Sequence, residues 1–335
     1  MSVSDAAAST GAGAGTPPGT GPSASGRPSR PGAPPAGGAA PAAAGPPRPG
    51  RRGVPRDALA LLGVVPFLAF TVIFLLLPVG NVAVDAFRDG DGNWTLHNIR
   101  LSFEGIYRDA FVTSLKVALL TAAIGVVFGT LLAQAVLTTK RNTLLRRVIT
   151  TASGVFANFG GVPLAFAFIA TLGATGLVTR WLDAVGLPLE SAGFSLFTFS
   201  GIVVVYIYFQ VPLMVLVITP ALEGLRPQWR EAAEGLGAST WAYWRHVGLP
   251  VLAPSLLGSY LLLFGSSFAA YATAWALTSG TVPLVPIKIG SLLSGNVITG
   301  GENLGKALGF EMILVIAVVV VGYLLLSRRA ARWLR

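Results

Sequence analysis

Few residues in this chain of 335 have side chains suited to chemistry. There is no cysteine, and the two histidines, His97 and His246, fall outside the apolar stretches. Thiolate metal sites, cysteine nucleophiles and an intramembrane histidine site are therefore excluded. The stretch 300–307, GGENLGKA, nearly matches the phosphate-binding pattern G-x-x-x-x-G-K-[ST], but Ala307 replaces the hydroxyl that magnesium needs. The sequence predicts no catalytic residue, no metal site and no cofactor held by this chain, which is not expected to be an enzyme.

A second segment, residues 223–250, has an unusual composition: EGLRPQWREAAEGLGASTWAYWRHVGLP. Its first half predicts a charged helix, and Gly235 and Gly237 predict a tight turn after it. Ser239 or Thr240 is suited to cap a second short helix, which is expected to end before Pro250. On the residues alone, this helix–turn–helix is either a docking element or an amphipathic helix resting in lipid headgroups.

The elements that position this segment are predicted to be membrane helices. The chain is 53% hydrophobic and only 11% charged, whereas a soluble domain carries about 25% charged residues. Stretches of about 20 apolar residues are long enough to cross a bilayer as helices. The sequence predicts an all-α polytopic membrane protein with six spans, at 58–84, 111–138, 149–172, 199–222, 251–277 and 306–327.

The rest of the chain divides by composition and charge. Residues 1–56 are rich in Ala, Gly and Pro and are predicted to be a disordered tail. The first helix and its loop follow at 57–110, then five spans at 111–329 and a short C-terminus at 330–335. Most of the 24 Lys and Arg residues flank alternate ends of the spans, so both termini are predicted to be cytoplasmic. The net charge of +10 thus reflects membrane topology, and no nucleic-acid partner is expected.

Several polar side chains fall inside the predicted spans, where they face other helices or a cavity in preference to lipid. Each either bonds a neighbouring helix or lines a path for a solute. Glu311 is ionisable, and it is expected either to pair with Lys306 or to line the path and favour a cation. The candidate path residues are Asn158, Gln210, Ser266, Ser267, Tyr271 and Glu311, with Gln134 as a further polar residue.

The spacing within 223–250 resembles the EAA loop of permease subunits of binding-protein-dependent ATP-binding cassette importers. The family pattern is E-A-A, three residues, G, nine residues, I, one residue and L-P, and only the Ile differs here, being Val247. The resemblance implies a type I importer permease core in which this loop couples to the ATP-binding subunit. The implied coupling residues are Glu231, Ala232, Ala233, Gly237, Thr240, Trp241, Trp244, Val247, Leu249 and Pro250.

The resemblance also implies partners and a substrate. The expected partners are two ATP-binding subunits, which bind ATP and magnesium, a second homologous permease, an extracytoplasmic solute-binding protein and membrane lipid. Segments around Gln210 to Leu213 and Phe264 to Thr273 are similar to the spermidine/putrescine group, so a polyamine or related cation is expected. Ferric iron, thiamine, phosphonate or sugar remain alternatives, as does a stand-alone secondary carrier. The expected location is the bacterial plasma membrane.

Overall fold

The computed structural model of the chain describes residues 56–138, 144–187, 189, 193–294 and 301–333. Contacts divide the chain into two units, residues 1–59 and 60–335. Of the first unit, only the start of a helix at Arg56 is described, so the predicted tail lies outside the described residues up to that point. The second unit contains every long apolar helix of the described ranges.

Helices make up nearly all of the described chain, and no strand occurs in those ranges apart from an isolated bridge between Arg88 and Trp94. The α-helices are α1 (Arg56–Thr71), α2 (Leu77–Asp85), α3 (His97–Ser102), α4 (Gly105–Thr138), α5 (Leu144–Asn158), α6 (Gly161–Leu172), α7 (Leu177–Ala184), α8 (Phe199–Glu223), α9 (Pro227–Gly235), α10 (Thr240–Tyr243), α11 (Leu249–Phe268), α12 (Ala272–Thr278), α13 (Val285–Leu293) and α14 (Glu302–Trp333). Two π-helical segments, Val72–Leu76 and Trp244–Gly248, join α1 to α2 and α10 to α11.

Six helical stretches of the described chain are long and apolar enough to cross a membrane. This confirms the predicted all-α polytopic class and the number of spans. The six stretches are Val64–Asp85, Gly105–Thr138, Gly161–Ala184, Phe199–Glu223, Thr240–Phe268 and Glu302–Leu325.

The predicted third span, 149–172, is wrong as a continuous helix. It is divided between α5 and α6, because the backbone is extended at Gly160 and left-handed at Gly161, with a φ of +76°. The third membrane-length stretch instead begins at Gly161 and includes α7, which lies in a region predicted to be a loop. Glycine adopts positive φ without a steric penalty, so this pair of glycines ends one helix and starts another.

The predicted fifth span, 251–277, is also interrupted. Helix α11 ends at Phe268, and α12 begins only at Ala272. The Tyr206 hydroxyl on α8 donates to the carbonyl oxygen of Ala270 within this break, at 3.1 Å. Backbone at membrane depth needs an internal partner for its polar groups, because lipid offers none. Tyr206 supplies one here.

The core of the bundle forms where α4, α8 and α11 meet. Gly125 and Gly129 on α4 let its backbone approach α8 closely: a Cβ added at Gly129 would lie 2.7 Å from Met214 Cγ and 2.9 Å from the Val211 carbonyl oxygen. A Cβ at Gly125 would lie 2.8 Å from Leu263 on α11. Small residues at four-residue spacing are typical of closely packed membrane helices.

The two ends of the bundle differ in their connections. At one end, here called the loop end, Thr138 and Glu223 finish α4 and α8 beside α9. At the opposite end, here called the far end, Lys306 pairs with Asp85 at 2.9 Å, and Asn303 Nδ2 donates to the carbonyl oxygens of Arg88 and Asp89. Asn303 and Lys306 belong to the phosphate-loop-like stretch. In this structure their side chains hold the start of α14 against the end of α2 and the residues after it.

Replacing Gly129 with Ala is expected to destabilise the bundle, because the new methyl group cannot fit unless α4 and α8 move apart. Overpacking of this kind costs about 1–3 kcal/mol. We expect a lower midpoint of thermal unfolding in detergent, followed by circular dichroism. Gly265→Ala on α11 is the matched control, since no atom of the described ranges lies within 4 Å of its added Cβ. Equal midpoints for the two variants would contradict the close approach of α4 and α8.

Candidate functional site

The predicted helix–turn–helix is formed by α9 and α10. Glu231 and Ala232 are exposed on α9, and Ala233 is half-buried. Arg230 and Glu234, one turn apart, form an ion pair at 2.8 Å. The hydrogen bond to Glu234 and the charge of that carboxylate raise the pKa of Arg230. Glu231 has no ion-pair partner among the described residues, so its carboxylate is available to another molecule.

The turn between the two helices depends on Gly237. Its φ is +79°, its N–H donates to the Glu234 carbonyl oxygen, and the Ala238 N–H donates to that of Ala233, both at 2.9 Å. These two bonds form a Schellman motif, which ends a helix with a left-handed residue that is usually glycine. Ser239 then caps α10, its hydroxyl accepting from the Ala242 N–H at 3.2 Å.

The second helix does not end before Pro250, which corrects the expectation from the sequence. It continues through the π-helical segment Trp244–Gly248 into α11, and the Leu249 N–H bonds the Trp244 carbonyl oxygen. A proline inside a regular α-helix would clash with the preceding turn and lack a donor. The wider π turn is a known way of accommodating such a disturbance. Thr240 to Phe268 is consequently one unbroken helical stretch of 29 residues.

The aromatic side chains of this stretch point in different directions. Trp241 is 71% exposed, whereas Tyr243 is 6% exposed. Trp244 is half-buried against the core, with its ring edge-to-face to Tyr243 and close to Gly248. Val247 is half-buried, and Leu249 and Pro250 are exposed. Trp241 is thus the tryptophan of α10 and the π segment that a docked partner can reach most fully.

Three of the predicted path residues lie together. Asn158, Ser266 and Tyr271 line a cavity of about 280 Å³ at the two helix breaks, α5 to α6 and α11 to α12. The breaks are joined by a hydrogen bond from the Gly161 N–H to Thr273 Oγ1 at 2.8 Å. Interrupted helices around a cavity are a recurrent way of building solute sites inside membranes.

Two other path candidates are buried between helices. Gln210 Nε2 on α8 donates to the Leu263 carbonyl oxygen at 3.0 Å, and Ser267 Oγ lies 2.9 Å from Thr121 Oγ1. Gln210 and Ser267 are buried and line no part of the cavity at the breaks. Their polar groups hold α4, α8 and α11 together.

Glu311 takes a third position, at the far end. It is 6% exposed and accepts a hydrogen bond from the Ser102 hydroxyl. The expected pairing of Glu311 with Lys306 is not seen, because Lys306 pairs with Asp85. Glu311 also lies outside the lining of the cavity at the breaks.

Thr121 and Thr273 take part in these hydrogen bonds between helices, and the sequence pattern predicts no role for either residue. A threonine within an apolar run carries no distinctive spacing. The adjacent glycines Gly160 and Gly161 are the available signal for the first break, since two glycines in a row favour a change of backbone direction.

The family and the relatives that this chain resembles are components of transport systems. A family described as binding-protein-dependent transport system inner membrane component matches residues 125–335. The chain is 29% identical to the sulfate transport system permease protein CysT of Escherichia coli (strain K12), over 61% of this chain and 69% of that protein. It is 24% identical to the ferric transport system permease protein FbpB of Actinobacillus pleuropneumoniae, over 81% of this chain but 38% of that protein.

The fold is also similar to that of a solved bacterial ATP-binding cassette transporter involved in the import of the acidic polysaccharide alginate. The TM-score is 0.65 and the identity 19%, and the match covers 82% of this chain and 96% of that chain. At this level of identity the likeness concerns the fold alone.

The geometry of the turn predicts that Gly237→Val will open the loop. A β-branched residue is sterically penalised at positive φ, by about 1–3 kcal/mol. We expect faster amide hydrogen exchange across α9 and α10, measured by mass spectrometry, with unchanged exchange in α4 and α8. Gly235→Ala is the control, because Gly235 lies within α9 and its added Cβ meets no described residue within 4 Å. Unchanged loop exchange in Gly237→Val would show that the left-handed residue is not needed.

Proposed function

Because this chain belongs to the family of inner membrane components of binding-protein-dependent transport systems, we propose that it is the permease subunit of an ATP-binding cassette importer, forming the path of a small solute across the membrane. The family match covers the loop, the cavity at the helix breaks and five of the six membrane-length stretches in whole or in part. The observation that carries the proposal is the exposed α9–α10 pair, whose turn presents Glu231 and Trp241 to a partner.

The proposed complex contains two ATP-binding subunits, a second homologous permease and an extracytoplasmic solute-binding protein. ATP and magnesium are bound by the ATP-binding subunits, and this chain lies in the bacterial plasma membrane with both termini cytoplasmic. The distribution of Lys and Arg supports that orientation. In this arrangement the loop end faces the ATP-binding subunit, and the far end faces the solute-binding protein.

The unbroken helix from Thr240 to Phe268 suggests how coupling would work. Its 29 residues span roughly 40 Å at about 1.5 Å per residue. Trp241 stands at one end, and Ser266, which lines the cavity, stands near the other. A displacement of α10 by an ATP-binding subunit would therefore be transmitted by a single helix to the break after Phe268, in an alternating-access cycle.

The lining of the cavity bears on the substrate. Its residues include Asn158, Ser266, Tyr271 and Thr273, and no described residue that lines it is charged. The helix α6 begins there, and a helix N-terminus favours negative charge. We therefore favour a small anion, such as the sulfate named for the E. coli relative, over the polyamine expected from the looser sequence similarity or over ferric iron. A cation would call for carboxylates or other anionic ligands.

Glu231→Ala is expected to weaken binding of the ATP-binding subunit and to lower solute-stimulated ATP hydrolysis, without affecting membrane insertion. Losing one partner of an interfacial charge pair typically costs about 2–5 kcal/mol. The measurements are co-purification of the ATP-binding subunit and ATPase activity of the reconstituted complex. Glu104→Ala is the control, since Glu104 is exposed and pairs with Arg100, well outside the loop. Wild-type association of Glu231→Ala, or transport driven by an ion gradient with no ATP-binding partner, would contradict the proposal.

Asn158→Asp tests the charge of the substrate. A carboxylate in the cavity should repel an anion, reducing sulfate uptake into proteoliposomes by about tenfold or more if the charges lie several ångströms apart. Asn93→Asp, at an exposed position outside this cavity, is the matched control. The anion assignment would be overturned if spermidine were taken up in place of sulfate and Asn158→Asp left its uptake unchanged or increased. That outcome would favour the polyamine hypothesis.

A further inference from the structure

A second cavity lies at the loop end, apart from the cavity at the helix breaks. It has a volume of about 560 Å³ and is bounded by the ends of α4 and α8, the start of α5 and both helices of the loop. Three guanidinium groups and one carboxylate belong to its lining, so the cavity is positively charged. These charged residues are Arg146, Arg226, Arg230 and Glu223.

The three arginines of this cavity differ in the groups that they contact. Arg146 pairs with Glu223 at 2.8 Å, and its side chain is 21% exposed. Arg226 lies over the ring of Trp229, with its Cζ 5.9 Å from the ring centroid, and no described carboxylate pairs with it. Arg230 pairs along α9 with Glu234. One of the three positive charges is therefore without an ion-pair partner in the described structure.

Apolar and aromatic side chains also line this cavity, beside the uncharged polar residues Gln134 and Thr138. Leu137, Leu222 and Leu225 contribute to it, together with Tyr243 and Trp244. Tryptophan and tyrosine are typical of the boundary between hydrocarbon and headgroups. The cavity thus combines charged groups with apolar and aromatic surface, and it lies at the end of the membrane helices.

We infer that this cavity binds the phosphate group of an anionic phospholipid, with Arg146 and Arg226 contacting the phosphate and Trp244 contacting the glycerol and acyl region. Guanidinium groups bind phosphate oxygens in a planar, two-pronged geometry. Basic pockets between membrane helices are suited to acidic headgroups. A free phosphate ion shares the headgroup chemistry but would make no use of the apolar walls. The inference does not rest on the proposed transport function.

Glu223 offers a test of the inference, because removing its charge should change lipid binding in the opposite direction from removing an arginine. In this structure its carboxylate occupies the position beside Arg146 that a phosphate would take. Removing its charge should release Arg146 and strengthen lipid binding. If the Arg146–Glu223 pair were purely structural, loss of either partner would have the same effect.

The experiment uses the full chain in detergent with phosphatidylglycerol or phosphatidylcholine, both by itself and in complex with its ATP-binding subunit. Native mass spectrometry would measure the bound lipid. We expect selective binding of phosphatidylglycerol, a reduction of about fivefold in affinity for each of Arg146→Gln and Arg226→Gln, and an increase for Glu223→Gln. Arg147→Gln is the matched control, because Arg147 is exposed on α5 next to Arg146 but does not line the cavity.

Inorganic phosphate provides the second arm. If it displaces phosphatidylglycerol only at large excess, the occupant is a lipid; displacement at equal concentration would overturn the lipid assignment in favour of a free anion. Equal losses in Arg146→Gln and Glu223→Gln would overturn the inference, as would an Arg147→Gln loss as large as that of Arg146→Gln. Lipid binding abolished by the ATP-binding subunit would assign the cavity to that interface instead.

Discussion

The close approach of α4 and α8 is the constraint on which the rest of the structure depends. Lipid tails are as apolar as leucine side chains, so helices in a bilayer gain little by hiding apolar surface from one another. Gly125 and Gly129 compensate by bringing the two backbones together, which gives dispersion contacts along the length of both helices. Both ends of this pair bear on other parts of the fold: Thr138 and Glu223 border the loop, and Ser114 accepts the Val285 N–H at the start of α13.

Hydrogen bonds between polar groups add to the stabilisation that close packing gives to the bundle. Gln210 and Thr121 connect three helices from inside the bundle, and Tyr206 and Thr273 satisfy backbone groups at the two helix breaks. An interrupted helix is costly in a membrane unless such partners are at hand. The breaks and their partners are therefore a single feature of the fold, and the cavity lined by Asn158 and Tyr271 exists because that feature is stable.

The sequence predicts the loop better than the breaks, for a physical reason. Gly237 and Ser239 act through their immediate neighbours, so their residue types alone indicate a turn and a cap. A break such as the one at Ala269 to Tyr271 depends on a hydroxyl 64 residues away along the chain, and an average of hydropathy cannot detect it. Pro250 misleads for a similar reason: its local preference to end a helix is overcome by the π-helical turn before it.

The attachment of the first membrane helix determines where contacts within the chain constrain its sequence. Asp85, with the backbone of Arg88 and Asp89, is tied to α14 through Lys306 and Asn303, whereas residues 64–77 are exposed along nearly their whole length within this chain. The contacts within this chain therefore constrain side-chain identity mainly at one end of the helix. Over the remainder, they require only apolar character, and the bilayer thickness limits the length.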